Sequence, residues 1–376
     1  MANNKIKIIC VCAARPNFMK IAPLIHAFRA SGRFDSLLVH TGQHYDEKMS
    51  ESFFDDLNIP RPDVNLEVGS AGPVDQIAQI MIRFEPVVLE FQPDYVLVVG
   101  DVNSTLACAI VAVKLHVKLI HVEAGLRSFD KTMPEETNRI LTDHISDTLF
   151  VTESAGIENL KNEGIDSDKI HFVGNVMIDT LMANLEKAQK SDILNQLNLK
   201  AYEYAVITLH RPSNVDNPAA FAQLIEAFEE IQKDLKLVFP IHPRTRARIA
   251  AANLDKRLEA MTNMIVTEPL GYLDFLRLNS KAAFVMTDSG GIQEETTVLG
   301  VPCLTLRENT ERPVTIELGT NQLVPLRPEA IIRSINKIRE NRNSQKHRIP
   351  PLWDGHAAQR ITQIILDGDV SESTTI

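Results

Sequence analysis

The sequence predicts an α/β protein built as two doubly wound halves, and three observations predict it. Short apolar runs alternate with stretches of helical periodicity. The alternation pauses at a charged helical segment, 177–199, and then restarts. The runs are apolar throughout, which marks strands buried on both faces of a parallel sheet. In such sheets ligands bind beyond the carboxyl ends of the strands, so the residues that follow each run are the candidates for chemistry.

The first half opens with a strand over 6–11. It leads through Ala13-Ala14-Arg15-Pro16-Asn17 into a helix over 19–30. A loop between a strand and a helix N-terminus suits an anion, because free N–H groups and the helix dipole point at it, and Arg15 and Lys20 add positive charge. The loop has neither G-x-G-x-x-G nor G-x-x-x-x-G-K, so neither a dinucleotide fingerprint nor a phosphate-loop NTPase is indicated. A strand over 36–39 ends in Thr41-Gly42-Gln43-His44-Tyr45-Asp46, and helices are expected over 47–57 and 73–90. The central segment follows: a strand over Tyr95–Val99 ending in Gly100-Asp101, a helix over Asn103–Lys114, and a strand over 117–122 ending in Glu123. Two consecutive strands thus end in a carboxylate. A third acidic pair, Glu135-Glu136, comes after a proline-marked loop. A purely structural alternative has Asp101 capping its helix and Glu123 pairing with Arg127. A helix over 138–146, a strand over Thr148–Val151, a helix over 154–163 and a strand over 171–173 complete the half.

The second half repeats the plan. A strand over 204–209 ends in His210-Arg211-Pro212, and an amphipathic helix covers 218–234. A strand over 237–241 ends in His242-Pro243-Arg244. Met264–Thr267 is a strand and 271–278 a helix. The strand over 283–287 ends in Asp288-Ser289-Gly290-Gly291, followed by a helix to Leu299. Ser289, Gly290 and Gly291 before a helix form a nest of backbone donors suited to a phosphate, and glycine allows its close approach. A strand over 301–306 precedes Arg312, and helices cover 328–341 and 357–366. The expected domains are 1–176 and 200–356, with 177–199 as the link and hinge and a disordered polar tail at 367–376. The ligand site is expected in the cleft between them, with donors of the second half facing carboxylates of the first.

The whole chain narrows the class. Its 376 residues are 44% hydrophobic and 23% charged, with a net charge of −10, which argues against nucleic-acid binding. No apolar run approaches a membrane span. The start, MANNKIKIICVC, shows no signal-peptide pattern, and the four cysteines form neither a C-x-x-C pair nor a disulfide framework. A cytoplasmic enzyme is expected. No H-E-x-x-H or comparable spacing points to a metal. Of eleven histidines, His210 stands out because it ends a strand, whereas His26, His116 and His144 read as structural.

Several stretches together resemble the non-hydrolysing UDP-N-acetylglucosamine 2-epimerases: HVEAGLRS (121–128), MPEETNR (133–139), VGNVMIDTL (173–181), TDSGGIQEE (287–295) and TERP (310–313). The resemblance covers nearly the whole chain. It implies two Rossmann-like domains in the glycosyltransferase-B arrangement, with the active site in the interdomain cleft and the last helix, 357–366, crossing back to the first domain. The family's polar catalytic residues fall on Asp101, Glu123, Glu135 and His210. Its ligand-binding positions fall on Arg15, Lys20, Phe275, Ser289, Gly290, Gly291, Glu295 and Arg312, with the uracil near 269–275 and the ribose hydroxyls on Glu295; His242, which follows a strand of the second half, is a further candidate for substrate binding. A homodimer, a UDP-sugar substrate, no cofactor and a role in cell-surface polysaccharide precursor synthesis are further implications. The chain departs from many members by reading Ala13-Ala14-Arg15-Pro16-Asn17 for G-T-R-P-E, and by Tyr45-Asp46 for an Arg-Gln pair.

The implied chemistry suits these residue types. The sugar C2 proton has no adjacent carbonyl, and no nicotinamide fingerprint is present to create one. The remaining route removes that proton as UDP leaves C1, giving a 2-acetamidoglucal, and re-adds UDP with protonation on the other face. It needs an acid/base group on each face of C2 and donors for the leaving diphosphate. A 2-epimerase of a UDP-2,3-diacetamido uronic acid and a glycosyltransferase of the same fold are the alternative activities.

Overall fold

Every side chain of Tyr95–Val99 is buried, and this strand lies inside a sheet covered on both faces. The computed structural model describes residues 5–13, 15–42, 57–69, 71–340 and 347–373. The side chains of Arg15, Pro212, Ser213, Arg244 and residues from 369 onward lie outside that description. So do residues 43–46 and nearly all of the helix expected over 47–57. The chain divides into two units, 1–183 with 351–376, and 184–350.

In the first unit the described strands are β1 (Ile6–Cys12), β2 (Phe34–His40), β3 (Val64–Asn65), β4 (Tyr95–Val99), β5 (Lys118–Ala124), β6 (Thr148–Val151) and β7 (Ile170–Phe172). They form one parallel sheet in the order β3-β2-β1-β4-β5-β6-β7. The order reverses direction between β1 and β4, the switch point where α/β sheets open a crevice for ligands. Residues such as Ile9, Val96, Val98 and Phe84 are completely buried between sheet and helices. Each such side chain contributes roughly 1.5–3 kcal/mol by leaving water.

The second unit repeats the topology. Its strands are β8 (Tyr204–Thr208), β9 (Lys236–Pro240), β10 (Met264–Thr267), β11 (Phe284–Thr287), β12 (Cys303–Thr305) and β13 (Asn321–Leu323). Their order is β10-β9-β8-β11-β12-β13, all parallel, with the switch between β8 and β11. The two expected α/β halves are therefore present, each a Rossmann-like sheet.

Some elements differ from expectation. The helix expected over 138–146 is Pro134–Ile145. Proline is favoured at a first helical position, where its missing N–H costs nothing, and Glu135 and Glu136 sit in the first turn where the dipole favours anions. The first helix likewise begins at Arg15, with Pro16 in its first turn. The short strands β3 and β13 carry too little apolar pattern to be read from sequence. The chain passes between units within helix Val176–Gln189, inside the segment read as the link. The final helix, Ala357–Ser373, packs on the first helix, and its backbone runs past residue 366 into the segment expected as a tail. Adding residues to an existing helix is far easier than starting one. Its N-terminus is held by Asp179, whose carboxylate accepts from the amides of Ala357 (3.0 Å) and Ala358 (2.7 Å).

Candidate functional site

In the first unit the polar groups gather at the carboxyl ends of β1, β4 and β5, beside the switch point. Asn17 Nδ2 donates to the carbonyl of Val99 (3.0 Å), tying the first turn of helix Arg15–Ser31 to the end of β4. The chain then turns at Gly100, whose φ of +73° suits glycine. A Cβ built on Gly100 would lie 3.2 Å from Glu123 Oε2, 3.4 Å from Lys20 Nζ and 3.5 Å from Asn17 Nδ2. These three groups therefore close around the turn that presents Asp101.

Glu123 is buried and paired with Lys20, itself buried. It sits in a register irregularity of β5 between Val122 and Ala124, with φ +70°. A bulge re-aims one side chain. A left-handed non-glycine residue costs about 1–3 kcal/mol and persists only where its surroundings enforce it. Asp101 accepts from Arg139 through Nε (3.0 Å) and Nη2 (2.7 Å). The structural alternative for Glu123 fails, because Arg127 pairs with Asp143 and Glu163 rather than with Glu123.

Glu135 is half-buried in the first turn of Pro134–Ile145, one residue before a carboxylate with a different task. Glu136 is buried and accepts from Ser128 N, Ser128 Oγ and Phe129 N (2.7 Å), and from Arg139 Nη1 (2.6 Å). Burial alone would raise its pKa, but these donors outweigh it and hold the carboxyl below its ordinary range. Arg139 thus joins Glu136 to Asp101. Arg15 begins the first helix just beyond β1.

In the second unit the residues also meet at the switch point. His210 follows β8 and Asp288 follows β11, and His210 Nδ1 lies 2.9 Å from Asp288 Oδ1. Asp288 is fully buried and also accepts from the amides of His210 and Arg211 and from Asn214 Nδ2. Burial pushes its pKa up, but His210 and these amides bring it below the ordinary value. A fixed carboxylate on Nδ1 orients the imidazole and leaves Nε2 as the nitrogen offered to a ligand. Ser289 precedes helix Gly290–Leu299 without a side-chain cap, so the amides of its first turn have no intrahelical acceptor.

Arg312 is buried against Gly290. Its guanidinium is held by Glu294 and Glu311, and Arg307 also pairs with Glu311 (2.8 Å). His242 is exposed after β9 and immediately precedes helix Pro243–Ala251, its carbonyl accepting from Arg246 N. Phe275 lies half-buried on helix Tyr272–Ser280, packed near Tyr204 and Leu278. On the same helix the hydroxyl of Tyr272 donates to Glu295 Oε1 (3.1 Å). Sequence reading missed Asn17, Arg139, Asp288, Glu294 and Glu311. Only the i,i+3 spacing of Glu136 and Arg139 hinted at a pair. Among the described residues no group of three His, Cys, Asp or Glu side chains is arranged to hold a metal.

Burial, with Glu294 adding to it and Tyr272 opposing, raises the Glu295 pKa to about 7. The folded protein then holds this proton more tightly than the unfolded chain. The resulting stability is complete below the ordinary glutamate pKa and is lost as pH rises through about 7. The depressed carboxylates Glu136, Asp143 and Asp288 lose their contribution only as pH falls, so they do not mask the effect. Urea unfolding should show the wild type losing roughly 2–3 kcal/mol relative to Glu295→Gln between about pH 5 and pH 7. Equal slopes for the two proteins would refute this assignment.

The family profile described as UDP-N-acetylglucosamine 2-epimerase matches residues 26–366. The UDP-N-acetylglucosamine 2-epimerase of Methanocaldococcus jannaschii is 41% identical over 373 residues, covering 96% of this chain and all of that one. The UDP-2,3-diacetamido-2,3-dideoxy-D-glucuronate 2-epimerase of Pseudomonas aeruginosa is 40% identical over 333 residues, covering 88% of this chain and 91% of that one. The solved structure of the Methanocaldococcus jannaschii epimerase in complex with UDP-GlcNAc and UDP superposes with a TM-score of 0.89 at 41% identity, over 96% of this chain and 99% of that one.

Proposed function

The chain belongs to the UDP-N-acetylglucosamine 2-epimerase family, and from that premise we propose that it interconverts UDP-N-acetylglucosamine and UDP-N-acetylmannosamine. The observation that carries the reading is the pair of carboxylates at the ends of adjacent strands, Asp101 after β4 and Glu123 in β5, each with its own cation. Separate partners allow two like charges to share one sheet edge and to serve as distinct acid/base groups. With Glu135 they are the proposed proton-transfer set at C2.

In the second unit the proposed diphosphate holders are the amides after Ser289, the side chain of His210 and the Arg312 region; in the first unit, Arg15 and Lys20 are proposed as anion-binding residues. Donors aimed at the departing diphosphate stabilise the charge that develops as the C1–O bond breaks. The C2 proton passes to a carboxylate, UDP departs, and the 2-acetamidoglucal takes UDP back while a proton is delivered to the opposite face. Phe275 and Glu295 are proposed to hold the uridine. The proposed setting is the cytoplasm, the proposed assembly a homodimer, and the proposed role polysaccharide precursor synthesis. Among the described residues no helix is long and apolar enough to cross a membrane.

An NMR time course with UDP-GlcNAc in heavy water tests the reaction. UDP-ManNAc should appear with deuterium at C2. Product that keeps its C2 protium would refute the elimination route, and turnover of only the diacetamido uronic acid nucleotide would assign the other substrate.

A further inference from the structure

His121 is buried under the site, and the mechanism above gives it no role. Its Nδ1 lies 2.6 Å from Asp143 Oδ1, and its Nε2 lies 2.9 Å from the carbonyl oxygen of Gly100. Both partner atoms are acceptors. A carbonyl oxygen has no proton to give. Asp143 is fully buried, and its other oxygen accepts from Arg127 Nη2 (2.8 Å) and Gly125 N (3.1 Å). A neutral imidazole has one N–H and one lone pair. In this position it would aim a lone pair at an acceptor in one direction or the other.

We propose that His121 is a positioning residue that donates from both ring nitrogens, and that as a buried cation it fixes the Gly100 turn from which Asp101 is presented. The carboxylate against its ring is the fully buried Asp143, whereas Glu163, the other partner of Arg127, is partly exposed and also faces His144 at 3.9 Å.

Three hydrogen bonds hold the backbone of the turn. His121 holds the Gly100 carbonyl, the Gly100 amide donates to Val122 O (3.1 Å), and Asn138 Nδ2 donates to the Asp101 carbonyl (2.8 Å). Arg139 then sets the carboxylate itself. Without the His121 donor the Gly100 carbonyl loses its buried partner, and the peptide that precedes Asp101 can rotate. The catalytic consequence rests on the proposed role of Asp101, but the double donation does not.

The test therefore has two arms. In protein labelled with ¹⁵N-histidine, ring correlation spectra near neutral pH should show both nitrogens of His121 protonated. The signal is identified by its loss in His121→Gln, or by sequential assignment of the wild type if that variant does not fold. A neutral-tautomer pattern would overturn the proposal whatever substrate the enzyme uses. In the second arm, His121→Gln should lower kcat with UDP affinity unchanged within twofold. The drop should be comparable to the ~10–100-fold that losing an outer-shell hydrogen bond costs around metal ligands. An unchanged kcat would remove His121 as a positioning residue. Absence of epimerase activity in the wild type would refute the functional reading and leave the spectroscopic result standing.

Discussion

Replacing Asp101 with asparagine should lower epimerase turnover by ~10²–10⁴-fold while leaving stability and UDP binding close to wild type. The structure explains why this variant isolates the chemistry. Arg139 keeps Glu136 as its partner when the Asp101 charge is removed, so no buried cation is left alone. Glu123→Gln should show a similar kinetic loss with an added structural cost, because Lys20 is buried against Glu123. Breaking one side of a buried pair typically costs ~3–5 kcal/mol. Glu135→Gln should resemble Asp101→Asn, since Glu135 is half-buried in a first helical turn. Steady-state kinetics, UDP calorimetry and thermal unfolding separate these effects. A near wild-type rate at any of the three positions would remove that residue from the proton-transfer set.

Gly290→Val should abolish measurable UDP binding or weaken it at least ~100-fold, equivalent to about 3 kcal/mol. A Cβ at Gly290 would meet the Arg312 guanidinium, with Cζ only 2.8 Å away. A flexible arginine could swing aside, but Arg312 is buried and tied to both Glu294 and Glu311. Moving it breaks the buried pair with Glu294, leaves Glu311 to Arg307, and disturbs the helix start that supplies the phosphate amides. Both affinity and stability of the second unit should therefore fall, with the stability loss of order 3–5 kcal/mol. Calorimetry with UDP and denaturant unfolding check this. An unchanged affinity would move the phosphate site away from residues 289–291.

The substitution also shows where sequence reading stops. Gly290 was legible as a residue whose missing side chain mattered, because a glycine pair opening a helix after a strand is an anion-site pattern. The neighbour that requires the glycine is a side chain from another loop, 22 residues along the chain at Arg312, and no local pattern names it. Likewise the strands were readable because a parallel sheet buried on both faces demands apolar runs such as Tyr95–Val99. The start of helix Pro134–Ile145 was misplaced because proline reads as a breaker unless its position in the first turn is known.

The sequence by itself determined the two α/β halves, the strand ends that carry Asp101, Glu123, His210 and Ser289, and a family-level set of polar residues. These follow from local constraints: apolar runs make strands, and the parallel sheet sends ligands to their carboxyl ends. Tertiary structure decided which charges meet. Lys20 reaches Glu123, Arg139 bridges Asp101 and Glu136, Asp288 orients His210, and His121 stands between Asp143 and Gly100. Those pairings depend on β1 lying beside β4, and β8 beside β11. Strand order is set by how helices and sheet pack together to bury both faces, and a two- or 3.6-residue period along the chain carries no record of it.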